Sequence, residues 1–197
     1  MITFSLNNFI KICLLDTGGR ISELQRRLTK TGGYDFYKPF QRSVRAHCSG
    51  DVVKALEILR APVKEAERKY NELAYQAFVE KFSAIKSLEC FDDKKTLKFL
   101  DHGVSISIDP LFQIEKLGIR QIYAAWPNKA PELSQRYGAV ACYIMQRAYM
   151  GTQAGNSQLL FADLCAGKTY SDRQITNNTS LILAADVSSI GSLIKGL

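Results

Sequence analysis

The chain reads as an α+β protein: a small mixed sheet, a three-strand antiparallel meander plus one returning strand, with a helical N-terminal half packed on it. Three observations carry this expectation. Val104, Ile106 and Ile108, and after Asp109-Pro110 Phe112 and Ile114, alternate with polar residues at the period of a half-buried strand, and Ile119 to Trp126 reads as a third strand closed by Pro127. On either side the spacing changes to three and four, most extensively over residues 62–88 and 131–150, which is the period of an amphipathic helix. Residues 159–164 then form an apolar run of strand length, bounded by polar and turn residues.

Taken in order, residues 5–16 predict a short helix with Leu6, Phe9, Ile10, Cys13 and Leu14 on one face, stopped by Gly18-Gly19. Residues 20–30 predict a second, with Ile21, Leu24 and Leu28 inward, and Gly32-Gly33 is its breaker. Pro39 suits the first turn of a helix over 38–48, where its missing N–H costs no bond. Asp51 is placed to cap a helix over 52–60. The run from Pro62 predicts the longest helix, with Val63, Ala66, Tyr70, Leu73, Ala77, Phe78, Phe82 and Ile85 as its buried stripe. Residues 92–98 read as a charged link. The meander follows, with Asp109-Pro110 between its first two strands and Lys116-Leu117-Gly118 turning the second into the third. Pro131-Glu132 marks a helix start, the strand at 159–164 returns parallel to a neighbour, and Ser180 opens a last helix.

At 197 residues, 46% hydrophobic and 23% charged, the chain suits a globular protein with a real core. Residues 1–60 form a basic helical region and residues 61–197 the α+β core, expected as one continuous domain. No secretory leader and no membrane-length apolar run are recognised, so a cytoplasmic location without membrane contact is expected. Five scattered cysteines with no C-x-x-C suggest neither a zinc site nor a redox pair. No metal, cofactor or catalytic set is expected. Asp101-His102 and His47-Cys48 are sequence neighbours without an orienting third group.

The net charge of +7 is uneven: residues 1–60 carry ten Lys/Arg against five Asp/Glu. Within it, Arg20, Arg26, Arg27, Lys30, Lys38, Arg42 and Arg45 interleave with Tyr34, Phe36, Tyr37 and Phe40. Cations neutralise phosphates and aromatic faces stack on unpaired bases. The expected function is therefore that of a non-enzymatic nucleic-acid-binding accessory protein. The candidate contacts are Arg20, Arg26, Arg27, Lys30, Tyr37, Lys38, Arg42 and Arg45. A protein-interaction or homo-oligomeric subunit is the alternative.

The predicted order of long helix, three strands, helix and strand over residues 62–166 resembles the restriction-endonuclease-like PD-(D/E)XK core. That resemblance implies an acid ending the second strand and an acid and a lysine two apart on the third, together holding a divalent metal. Here Asp109 precedes Pro110, Glu115 adjoins Lys116, Asp163 and Lys168 are five apart, and residues 119–126 contain no acid. The implied form is a degenerate, non-catalytic core.

Overall fold

The structure, a computed structural model, describes residues 1–29 and 35–197. It is α+β, with the element order β1 (Ile2–Ser5), α1 (Leu6–Leu14), α2 (Thr17–Thr29), α3 (Lys38–Cys48), α4 (Val52–Arg60), α5 (Glu65–Phe82), β2 (Glu89–Cys90), β3 (Lys95–Phe99), β4 (Val104–Ile108), β5 (Phe112–Lys116), β6 (Ile119–Trp126), α6 (Gln135–Tyr149), β7 (Gln158–Asp163), β8 (Lys168–Tyr170) and α7 (Asn177–Gly196). The described strands form two sheets, ordered β1-β4-β3 and β2-β5-β6-β7-β8. No helix among the described residues is long and apolar enough to cross a membrane. The predicted breaker Gly32-Gly33 lies outside the described residues.

The larger sheet is buried on both faces, so its central strands read as continuous apolar runs and not as clean alternation. Ile122, Ala124 and Trp126 of β6 join Leu159 and Phe161 of β7 in one core cluster, shared with α1, α6 and α7. Tyr123, Ala125, Leu160 and Ala162 project to the other face and meet α3, α4 and α5. The parallel register Ile122↔Leu159 through Trp126↔Asp163 keeps these two sets in line. On the second face Phe112 and Tyr123 stack at 4.9 Å and 9°, with Phe82 edging against both. Each such aromatic, fully withdrawn from water, contributes about 1.5–3 kcal/mol.

The predicted meander is divided between the sheets. The hairpin of β5 and β6 forms as expected, but β4 pairs with β3 and, in parallel, with β1. The neighbour of β5 is instead the two-residue β2. Asp109-Pro110 does not interrupt one sheet; it carries the chain from the smaller sheet to the larger. The expected parallel return is present, β7 lying beside β6 with α6 as the crossover.

Other boundaries differ for local reasons. Gly18 and Gly19 do not stop a helix. They form the first turn of α2, where the Gly19 N–H donates to the Asp16 side chain at 2.7 Å. The expected link at 92–98 contains strand β3. Pro131 lies ahead of α6, which begins after Ser134, whose side chain caps it. Thr176, not Ser180, opens α7. The buried face of α5 is Glu67, Asn71, Ala74, Tyr75, Phe78 and Phe82, so Val63 (99% exposed), Tyr70 and Leu73 of the expected stripe face outward.

Helix α6 approaches β8 through Gly138. A Cβ there would come within 2.6 Å of Cδ1 of the Tyr170 ring, whose own position is fixed by the core. Helix propensity favours Gly138→Ala by about 1 kcal/mol. Overpacking against the ring opposes it by about 1–3 kcal/mol. Chemical denaturation is expected to show a net loss for Gly138→Ala, and a gain would refute the close approach.

Candidate nucleic-acid interface

The cations of the N-terminal third are separated by the fold. Arg20 bridges α1, α2 and α7: it donates to the Leu15 and Cys13 carbonyls at 3.0 and 2.6 Å and pairs with Asp186 at 3.1 Å. Arg26 and Arg27 both grip Glu23, at 2.6 and 3.1 Å, and Arg27 lies 5.9 Å from the centre of the Phe4 ring. Burial opposes ionisation of Glu23, but the Arg26 hydrogen bond and the Lys11, Arg27 and Arg26 charges outweigh it, so its carboxyl titrates below the ordinary range. Lys30 lies outside the described residues.

Arg45 reaches inward from α3. Nη1 donates to the Phe91 carbonyl at 2.9 Å and to Asp92, while Nη2 donates to Asp109 at 2.6 Å and to the Pro110 carbonyl at 3.2 Å. Four acceptors take up four of its five N–H donors, leaving little for a phosphate.

Lys38 and Arg42 remain together. Both lie on α3, and Lys54 faces them from α4 across an open cleft of about 640 Å³ that also includes Asp35, Glu57 and Glu67. The cleft is built by buried polar bonds. Asn71 of α5, fully buried, accepts the Phe40 N–H at 2.8 Å and donates to the Phe36 and Glu67 carbonyls at 2.8 and 2.7 Å. It thereby satisfies a first-turn donor of α3 that the residue preceding the helix, Tyr37, does not. Ser43 donates to the Ala55 carbonyl at 2.9 Å and ties α3 to α4.

The side chains of Lys38, Arg42 and Lys54 make no hydrogen bond or ion pair among the described residues. The Asp35 carboxylate is occupied by the Tyr37 N–H and the Gln41 amide at 3.1 and 3.4 Å. The cleft is lined by three cations, Lys38, Arg42 and Lys54, and three carboxylates, Asp35, Glu57 and Glu67. Tyr37, before α3, is half-buried with its ring edge on Phe36 at 5.1 Å; burial, then Cys165 and Tyr70, pushes its hydroxyl up to about 12.

The other candidate groups do not converge. Asp109 lies ahead of β5 and Glu115 near its far end, a separation of at most roughly 20 Å along the chain. Asp109 is held by Arg45, so these two carboxylates do not share a site. His47 shares a hydrogen bond with the Tyr75 hydroxyl at 2.8 Å and packs edge-on to Phe78; burial lowers its pKa. Burial and the adjacent Cys90 push the Cys48 thiol up to about 12, so it carries no thiolate at neutral pH. Trp126 and Tyr123 lie on opposite faces of the sheet and form no joint anchor.

Sequence reasoning missed Lys54 and Asn71, because neither a lone lysine nor a single asparagine within a helix stands out in hydrophobic periodicity. No known family model matches the chain, and no curated protein is similar to it in sequence.

The different uses of two arginines on one helix are separable. Arg45→Ala is expected to lower stability by about 1–2 kcal/mol, because Asp92, Asp109 and two carbonyls lose a charged donor. Arg42→Ala, with no partner to lose among the described residues, should change stability by no more than about 0.5 kcal/mol. Equal losses would show that Arg45 is not a clamp.

Proposed function

We propose that the protein is a non-enzymatic nucleic-acid-associated accessory protein that meets a phosphate backbone along the α3–α4 edge. Support comes from one observation above all: Lys38, Arg42 and Lys54 share a surface and have no side-chain partner within the described chain. A cation already engaged by an internal carboxylate must break that contact to bind a phosphate, whereas these three need only shed water and counterions. The rigid placement of α3 and α4 through Asn71 and Ser43 fixes their spacing beforehand, which lowers the ordering cost of binding. Arg20, Arg26, Arg27 and Arg45 serve the fold on this reading.

A second reading rests on α4 itself. Val52, Val53 and Leu56 are exposed on α4, Val53 at 71%, and none of them lines the cleft. A protein partner or a second copy covering them would bury apolar surface that now meets water.

The two readings separate on salt. Three phosphate contacts predict roughly a 20- to 40-fold fall in affinity between 50 and 200 mM salt, the lower value for single strands and the higher for duplex. The triple variant Lys38→Glu/Arg42→Glu/Lys54→Glu should abolish this binding, measured by fluorescence anisotropy of a labelled oligonucleotide, while Arg26→Glu/Arg27→Glu should retain most of it. Salt-insensitive binding, or none at low salt, removes the first reading. A concentration-dependent mass lost on Val53→Asp would then support the second.

A further inference from the structure

The opposite end of α5 holds a second concavity, roughly 22 Å along the helix from the cleft. Helix α5 ends over the larger sheet at Phe82, and beyond that point a groove opens along β5, β6 and β7. The resulting open groove has a volume of about 800 Å³. Its floor is Ile114, Tyr123 and Leu160, all members of the core cluster under α5.

Strand alternation decides which polar groups join that floor. Lys116 shares the parity of Ile114, Gln121 that of Tyr123, and Gln158 that of Leu160, so all three rise from the floor side. Glu115, the one carboxylate in the lining, has the opposite parity to Ile114. Arg173 and Gln174 close the groove from the segment after β8, and Lys81 from the last turn of α5.

The acceptors in this groove are largely spent and the donors are not. The Tyr123 hydroxyl donates to Gln121 Oε1 at 2.9 Å, and Gln121 Nε2 donates to Gln158 Oε1 at 2.6 Å. The Ser171 N–H occupies Gln174 Oε1 at 2.7 Å. Lys81 Nζ donates to the Gly167 carbonyl and Thr169 Oγ1 at 2.9 and 3.0 Å, which leaves one of its three protons. The amide nitrogens of Gln158 and Gln174 keep unused protons, and the Arg173 and Lys116 side chains have no partner among the described residues.

A floor of apolar and aromatic edges under a rim of N–H donors and cations calls for a flat ligand rich in acceptors. A fatty carboxylate would satisfy the cations and leave the amides unmatched. A nucleotide offers phosphate oxygens to Arg173 and Lys116, and ring-nitrogen and carbonyl acceptors to the glutamine amides. The volume lies within the range of small-ligand sites. We propose that this groove is a nucleotide-binding site, with Arg173 and Lys116 holding the phosphate and Gln158 and Gln174 facing the base. The ligand is either a free mononucleotide or the terminal nucleotide of a strand. The site does not depend on the α3–α4 edge for its function.

Calorimetric titration with AMP, GMP and UMP, and with short oligonucleotides bearing or lacking a 5′-phosphate, tests it. Saturable binding is expected for at least one probe. Preference for mononucleotides assigns the free ligand, and preference for the phosphorylated strand assigns the strand end. Arg173→Ala and Lys116→Glu should each weaken that binding at least about tenfold. Lys116 is on an exposed hairpin, so its variant keeps the fold if the core governs folding, which far-ultraviolet circular dichroism verifies. Lys38→Glu/Arg42→Glu/Lys54→Glu should leave mononucleotide binding unchanged, so the cleft and the groove can fail separately. No saturation by any probe up to about 1 mM, a level of about −4 kcal/mol, overturns the proposal. So does equal affinity for inorganic phosphate, or binding indifferent to both groove variants.

Discussion

The two sheets are joined where the chain crosses between them, and Arg45 holds both crossings. The first runs from β2 in the larger sheet through Phe91 and Asp92 to β3 in the smaller. The second runs from β4 in the smaller through Asp109 and Pro110 to β5 in the larger. One guanidinium bonds a carbonyl and a carboxylate at each crossing. Pro110 brings no N–H of its own to the crossing, where the Leu111 N–H donates to the Tyr123 carbonyl at 2.8 Å beside the Arg45 bonds. The Tyr149 hydroxyl, from α6, donates to the Asp93 carbonyl and steadies the first crossing from the other layer. An individual exposed ion pair is worth little. A guanidinium that satisfies four acceptors from two chain segments also specifies which strand enters which sheet.

With the crossings held, the larger sheet has a fixed pair of faces and its helices sort accordingly. Helices α1, α6 and α7 serve one core cluster and α3, α4 and α5 the other. This division also separates the charges, because α2 packs through Leu24 into the first cluster while α3 packs through Phe40 and Val44 into the second. A basic stretch continuous in sequence is thus placed on two layers of the molecule. Helix α5 spans the second layer and leaves a concavity at either end, one lined by helices and the other floored by sheet.

The fold class was legible because it rests on local periodicity. The helices at Lys38–Cys48 and Val52–Arg60, the β5–β6 hairpin and the parallel β7 follow from proline, aspartate, glycine and alternation signals within a few residues. Features set by distant partners were not legible. Strand β1 is four residues long and exists because Ile2 to Ser5 finds β4, about a hundred positions on. The inward face of α5 was misplaced because two of its buried positions, Glu67 and Asn71, are polar, and hydrophobic periodicity counts such residues as solvated. Asn71 tolerates burial only because Phe36, Glu67 and Phe40 supply all its hydrogen bonds, and Phe36 and Phe40 are remote in sequence.

The same limit governs the candidate interface. Charge count and aromatic interleaving describe Arg20, Arg42 and Arg45 alike, yet their availability differs completely. Arg20 meets Asp186, 166 positions away, and Arg45 meets Asp92 and Asp109, 47 and 64 positions away. Arg42 has no such acceptor within the described residues. A cation's readiness for a phosphate is set by the acceptors that the fold has already placed within its reach. The glutamines of the sheet-end groove obey the converse rule. Neutral and unremarkable in sequence, Gln121 and Gln158 become directional donors only because the β6–β7 register sets them side by side and Tyr123 takes up an amide oxygen. In this molecule the pairing pattern, more than the distribution of charge along the chain, decides which cations and amides are left without a partner among the described residues.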